Sequence, residues 1–187
     1  MTESKIVPVF IASSSELMTE RKMMNHVFSE INGVFSHIQF KDVRWEAHMS
    51  SGSVEGDHIQ EDINEKLLDD SPVVILLLYS KIGKFTREEY ELALRKRKKL
   101  FVYFKEGFVP TKDTDLKNLG ALLDFKSEVE KDNKILYNSF FQPSDLELLL
   151  HRDLLFYLQE QHLLADDSIM KVFEALKLSS TEKRYLE

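Results

Sequence analysis

Five short apolar runs, separated by longer amphipathic or polar stretches, are the feature that most constrains how this chain of 187 residues folds. The most apolar run, 73–79, has no polar side chain before its final tyrosine. A run of this kind is typical of a central parallel strand that is covered on both faces. The other four strand-like runs are 6–12, 38–45, in which apolar and polar residues alternate weakly, 100–104 and 134–140. The pattern predicts an α/β fold, with a five-stranded, doubly wound parallel sheet as a single layer between helices.

Apolar residues at helical spacing occupy the stretches between the strands. They predict helices in five segments: 17–31, 59–67, 86–96, 116–123 and 144–161. Gly33 follows the first of these as its predicted C-cap. A further apolar stripe begins at Ile169, beyond the fifth unit. We therefore expect one α/β domain over residues 1–163 and a helical extension or linker over 164–187.

Composition excludes several classes of protein. The chain carries 25 Lys and Arg against 32 Asp and Glu, a net charge of −7, which argues against binding to duplex nucleic acid. It has no cysteine, which excludes disulfides, thiolate catalysis and cysteine-ligated metal, and is consistent with a cytoplasmic location. The longest apolar run is about a third of the roughly 20 residues that span a bilayer, so no membrane segment is expected. The six histidines show no metal-ligand spacing, and we expect no metal site.

Ligands of doubly wound sheets bind beyond the carboxyl ends of the strands. The search for chemistry is thereby confined to four loops: 13–15, 46–56, 80–89 and 105–110. These loops contain no P-loop motif, and Ala12 followed by three serines stands where a dinucleotide-binding glycine motif would be. The first strand also lacks the acidic cluster of a phosphoacceptor receiver domain. Nucleotidases of the P-loop type, Rossmann enzymes and receivers are therefore excluded.

Two loops carry polar residues that have both a structural and a functional interpretation. Ser13 and Ser14 stand where backbone N–H groups and hydroxyls could hold a phosphate or a ribose, but Ser13 and Glu16 also match a capping box. Glu89 follows the central strand, where it could be catalytic, but Thr86 and Glu89 match a second capping box. The neighbouring acids of that segment are expected to be solvated.

Arg44 and Trp45 end the second strand, and Trp45 is the only tryptophan. It is either a loop or core anchor, or an aromatic face that binds a cationic ring. The basic run 95–99 is expected to be a solvated helix end, with contact to a phosphate or a partner as the alternative.

Four short motifs follow one another over about residues 5–105. They are VFIASSSEL at 9–17, VRWE at 43–46 with IQEDI at 59–63, DSPVVILLLYS at 70–80, and FTREEYELAL at 85–94. The first resembles the opening of a TIR-like family of unknown-function domains that often precede signalling ATPases. The others resemble the second strand, BB loop and following helix, the central strand, and the glutamate-bearing segment of TIR domains, which have a flavodoxin-like sheet.

The resemblance implies an NAD⁺ glycohydrolase that acts in defence or stress signalling, with NAD⁺ as substrate and no bound cofactor. Glu89 stands at the position of the catalytic glutamate, four residues after the aromatic Phe85. Ser13, Ser14, Arg44, Trp45 and Phe85 would bind the substrate. The resemblance also implies a homo-oligomer formed through the loop 46–56, and a fused or separate sensor or ATPase domain.

Two other functions are compatible with these residues. Many TIR domains are assembly modules that self-associate without turnover. A nucleoside deoxyribosyltransferase-like enzyme would share the sheet and a catalytic glutamate, but would transfer a base between sugars.

Overall fold

The computed structural model describes residues 4–43, 65–132, 135–164 and 172. The five strands are β1 (Lys5–Ser13), β2 (Ile38–Val43), β3 (Val73–Leu78), β4 (Lys99–Lys105) and β5 (Leu136–Phe140). Four long helices are α1 (Met18–Val34), α2 (Lys84–Arg95), α3 (Asp113–Lys131) and α4 (Pro143–Glu160). A short 3₁₀ turn, Ser15–Leu17, precedes α1, and residues 65–69 are helical.

The strands form one parallel sheet in the order β2-β1-β3-β4-β5. In the centre of the sheet Leu76 of β3 lies between Ala12 of β1 and Val102 of β4. The predicted fold class, an α/β protein with a five-stranded parallel sheet, is confirmed. Because β1 has β2 on one side and β3 on the other, the strand order reverses at β1, and the switch point lies between β1 and β3.

The central strand is apolar because both of its faces are covered. All six residues of β3 are buried, as the continuous apolar run predicts. One face of the sheet contributes Val74, Leu76 and Leu78 to a core cluster, which also contains Tyr90 of α2 and Phe125 of α3. The rings of Tyr90 and Phe125 meet edge to face, with centroids 4.8 Å apart.

The chain divides into two compact units. One contains β1 from Val7 onward, β3, β4, β5, α2 and α3, and it holds the core cluster. The other contains most of α1, the first half of β2, and α4. In this second unit the side-chain amide of Asn32 is bonded to the backbone of Phe40 at 2.7 and 3.0 Å, which joins α1 to β2. The buried apolar residues of its helices include Met24, Val27 and Ile31 of α1 and Leu146, Leu150, Leu154 and Leu158 of α4.

Several helix ends differ from the predictions. Gly33 lies inside α1, which ends one residue later. Helix α2 begins at Lys84 with Gly83 as N-cap, so Thr86 is a helical residue and the capping box of Thr86 with Glu89 is wrong. The helix starts earlier because Gly83 adopts the extended backbone of an N-cap, while its carbonyl accepts the first helical bond from Arg87.

Most of the predicted C-terminal extension lies outside the described residues. Of the predicted extension over 164–187, the structure describes Leu164 and Val172, both buried. Helix α4 ends at Glu160, one residue before its predicted end, and Pro143 occupies its first turn, where proline is favoured. Within the described ranges, no helix combines the length and apolar character required to cross a membrane.

Candidate functional site

A polar cluster joins the loops that follow β1 and β3, at the switch point of the sheet. The carboxylate of Glu16 accepts hydrogen bonds from the Ser14 hydroxyl at 2.9 Å, from the Ser80 hydroxyl at 2.7 Å, and from the Ser80 backbone N–H at 3.3 Å. Ser13 is the last residue of β1, beside Leu77 of β3 in the register, and is half-buried. These three serines therefore surround the carboxyl ends of the two strands where such folds bind ligands.

Glu16 has a different role from the predicted one. The 3₁₀ turn has Ser14 as its N-cap, and no capping bond from a side chain is present there. The capping box of Ser13 with Glu16 is therefore wrong, because the chain enters a 3₁₀ turn rather than an α-helix at this point. Glu16 and Ser80 were missed as a pair, because 64 residues separate them and only the adjacency of β1 and β3 brings them together.

Helix α2 presents the predicted catalytic residue on a sheltered face. The Glu89 side chain is only 6% exposed, and Phe85, one turn earlier on the same face, is half-buried. The neighbouring acids are far more exposed, as predicted, and pair with cations of their own helix: Glu88 with Lys84 at 3.6 Å and Glu91 with Arg87 at 3.1 Å. A carboxylate sheltered from water acts strongly on a charge that develops nearby.

A cavity of about 220 Å³ opens at the carboxyl ends of β3 and β4. Tyr79 and Phe108 form part of its wall, with ring centroids 5.5 Å apart in an edge-to-face arrangement. The Lys105 ammonium lies 4.9 Å from the centroid of the Tyr79 ring. The remaining lining residues are Phe104, Glu106, Gly107, Leu119, Leu122, Leu123 and Lys126. The predicted loop 105–110 thus does line a concave surface, although no particular residue of it was singled out.

One acid of this cavity is held ionised by its neighbour. Lys126 donates to Glu106 at 2.6 Å and to the Ser139 hydroxyl at 2.9 Å. The bond from Lys126 is the main cause that lowers the pKa of Glu106 below its ordinary value, against the opposing effect of burial. Since this acid is neutralised by Lys126, Lys105 gives the cavity a positive balance that suits an anionic or electron-rich group.

Two of the predicted substrate-binding residues, Arg44 and Trp45, lie outside the described residues, and so does the loop 46–56. Ser13, Ser14, Phe85 and Glu89 are described. The serines lie on the loop after β1, and Phe85 and Glu89 lie on the helix that follows β3. The basic run 95–99 lies at the end of α2, where Lys96 donates to Asp69 at 2.6 Å and Lys98 to the Asp69 carbonyl at 2.6 Å.

Comparison with known proteins gives a family and several distant structural likenesses. A family model described as a domain of unknown function, DUF4062, matches residues 8–155. No curated protein matches the chain. Among solved structures, a conserved protein from Enterococcus faecalis V583 is 12% identical with a TM-score of 0.47, over 78% of this chain and 98% of that one.

Two further solved structures are similar at the same distance. A CMP N-glycosidase from Clostridium botulinum is 11% identical with a TM-score of 0.43, over 84% of this chain and 99% of that one. Translation elongation factor SelB from Methanococcus maripaludis, with a GTP analogue, is 12% identical with a TM-score of 0.47, over 82% of this chain and 35% of that one. Likenesses at this level carry no chemistry over to this chain.

Proposed function

Because the chain belongs to the DUF4062 family, whose function is unknown, we propose a function from the chemistry of the chain's own residues. The proposed reaction is hydrolysis of the N-glycosidic bond of a nucleotide, with NAD⁺ as the substrate and Glu89 as the catalytic carboxylate. The observation that carries this proposal is the burial of Glu89, which is only 6% exposed and lies on the helix that follows β3. A glutamate at the first or second turn of an amphipathic helix is ordinarily solvated, as Glu88 and Glu91 are.

The chemistry of NAD⁺ requires little of the protein. The bond between the ribose carbon C1′ and the nicotinamide nitrogen breaks, and its electron pair neutralises the pyridinium ring, so the leaving group needs no proton. Positive charge develops on the ribose at the same time. One carboxylate that holds the ribose hydroxyls and faces this charge is then sufficient, where most glycosidases need two. Water adds to C1′, and its proton passes to the carboxylate and then to solvent, leaving ADP-ribose and nicotinamide.

The other predicted residues have roles that follow from their positions. Ser13 would contact a ribose or phosphate oxygen. The Ser14 hydroxyl donates its one proton to Glu16, so it would accept a hydrogen bond from a ribose hydroxyl. The hydrogen bonds that Glu16 accepts from Ser14 and Ser80 would hold the two loops at a set distance. Arg44 and Trp45, which lie outside the described residues and follow β2 in the sequence, would complete the site, with Trp45 stacked on the nicotinamide. The cavity at Tyr79 and Phe108 is smaller than the roughly 300–1,000 Å³ of a drug-sized pocket, so it suits one ring or one phosphate of a dinucleotide.

The test is nicotinamide release from NAD⁺ by the purified chain, at high protein concentration, with two variants of α2. Glu89→Gln preserves the size of the side chain and removes its charge, and we expect it to lower the turnover number by about 100-fold or more. Glu88→Gln is the matched control, because it removes the adjacent, exposed charge of the same helix, and its turnover should stay within about twofold of the wild type.

Four other outcomes would each change or refute the proposal in a defined way. Equal turnover by wild type and Glu89→Gln would exclude Glu89 as the catalytic residue. Release of cytosine from CMP without nicotinamide release would keep the reaction class but require a general acid, because cytosine leaves poorly without a proton. Base exchange between free nucleosides would indicate a deoxyribosyltransferase. If none of these substrates were turned over, the proposal would be refuted. An assembly module would then be favoured, and its oligomer should depend on residues 51–56.

A further inference from the structure

Helices α1 and α4 each carry a histidine and a glutamate four residues apart, and the fold brings the two pairs together. Four residues are slightly more than one turn, so His26 and Glu30 share a face of α1, and Glu147 and His151 share a face of α4. The ligand atoms of His26, Glu30 and Glu147 lie within 4.8 Å of one another. His151 Nε2 lies 3.3 Å from Glu30 Oε2, and His26 Nε2 lies 3.5 Å from Glu30 Oε1.

The tautomer of His151 follows from its backbone contact. Its Nδ1 lies 2.9 Å from the carbonyl oxygen of Glu147, which can only accept a hydrogen bond. Nδ1 must therefore carry the proton, and Nε2 of the neutral ring presents a lone pair. Metal-ligating histidines are commonly held in this way, with the second ring nitrogen bonded to a carbonyl or carboxylate.

That lone pair is directed at a second acceptor. Nε2 of His151 and Oε2 of Glu30 are both buried, and neither has a hydrogen-bond partner within the described part of the chain. His151 itself is 1% exposed. Two acceptors 3.3 Å apart in a buried place repel each other unless a cation lies between them, and an orphaned pair of this kind is costly.

Removal from water is the main cause that lowers the pKa of His151 below its ordinary value, and the positive charge of a protonated His26 acts in the same direction. The hydrogen bond to the Glu147 carbonyl and the charges of Glu30 and Glu147 act in the opposite direction.

We propose that His26, Glu30, Glu147 and His151 form a binding site for a divalent transition-metal ion, preferentially Zn²⁺, that joins α1 to α4. Imidazole nitrogens and carboxylate oxygens are suitable zinc ligands, at bond lengths of about 2.0–2.2 Å. In a tetrahedron with bonds of that length, two ligand atoms are about 3.3–3.6 Å apart. The separations of 3.5 Å from His26 to Glu30 Oε1 and of 3.3 Å from His151 to Glu30 Oε2 are of this size.

The position of the site indicates a structural role and an open route for the ion. His26 has 60% of its side chain exposed and Glu30 has 29%, so an ion can enter from solvent and be bound against the buried His151. Four protein ligands would close the coordination shell, as in structural zinc sites. This proposal differs from the expectation of no metal, which rests on the spacing of the histidines alone; spacing in sequence does not bring together a histidine and a glutamate from two distant helices.

The test is zinc binding by the chain after treatment with a chelator, measured by calorimetry with ZnCl₂ and by the visible absorption of Co²⁺ as a probe of the coordination. We expect one Zn²⁺ per chain and a rise in melting temperature. His26→Gln and Glu30→Gln should each weaken Zn²⁺ binding by about tenfold or more. His37→Gln is the matched control, since it removes an exposed imidazole of the same unit outside the cluster, and it should bind as the wild type does.

The choice of variants distinguishes a loss of zinc binding from a loss of folding. His151→Gln changes a fully buried residue, so the decision rests on His26→Gln, at an exposed position that does not affect the core. Binding of less than one ion per chain by the wild type, or equal affinity in the wild type, His26→Gln and Glu30→Gln, would overturn the proposal. Weakening by His37→Gln alone would attribute the binding to adventitious surface imidazole.

Discussion

The substitution Leu76→Ala tests most directly whether β3 is the buried central strand of the sheet. The side chain is fully buried, lies between Ala12 and Val102 in the register, and belongs to the core cluster of its face. The three carbon groups removed are each worth about 0.8 kcal/mol of transfer free energy, or about 2.4 kcal/mol together. Because β3 is hydrogen-bonded on both sides, it cannot move inward to fill the space, so the cavity adds to this cost. We expect a total of about 3–5 kcal/mol.

Such a loss is a large part of the roughly 5–15 kcal/mol by which domains are stable. The assay is urea unfolding at equilibrium, where the midpoint should fall without a change in the slope m. Leu123→Ala is the matched control, because Leu123 lies on α3 with 54% exposure, and its effect should stay within about 0.5 kcal/mol. A loss below about 1 kcal/mol for Leu76→Ala would refute the argument that β3 is covered on both faces.

Two titrations provide further predictions. In chelator-treated protein, the free energy of unfolding should fall as the pH drops below 6.5, the ordinary pKa of histidine. The reason is that His151 binds a proton more readily in the unfolded state, because burial lowers its pKa in the folded state. Urea unfolding between about pH 5 and 8 should show this fall in the wild type and a smaller one in His151→Gln. The pKa of the Glu106 carboxyl should lie below its ordinary value of 4.5, so its contribution to stability is present above pH 4.5 and is lost as the pH falls through the lowered pKa. Lys126→Met should raise the pKa of Glu106, as measured by NMR titration of the carboxyl groups. An unchanged pKa would contradict the assignment of Lys126 as the cause.

Strand positions could be predicted from the sequence because they follow from local apolar runs. The observed β3 ends one residue before the end of the run that predicted it. The observed β4 is longer than its predicted run, 100–104, by one residue at each end. Helix ends were less accurate, as the earlier start of α2 and the inclusion of Gly33 in α1 illustrate. A cap depends on the backbone conformation of one residue, which a periodic pattern does not specify.

The sequence predicted which segments hold the candidate site, and it did not predict the contacts between them. The rule that ligands bind beyond the carboxyl ends of parallel strands led to the segments 13–15 and 80–89, which contain Ser13 and Ser14 in the first and Glu89, a residue of α2, in the second. The burial of Glu89 could not be read from its spacing, since Glu88 and Glu91 stand on the same short helix and face solvent.

The order of apolar runs and helical patterns by itself determined the fold class, because each strand and helix must bury a face that its own residues define. Only the tertiary structure decided which distant polar groups meet. Glu16 reaches Ser80 because β1 and β3 are neighbours in the sheet, and His151 reaches Glu30 across more than a hundred residues of chain. Local periodicity specifies the direction of a side chain from its own element, whereas its partner depends on packing between elements that are distant in sequence.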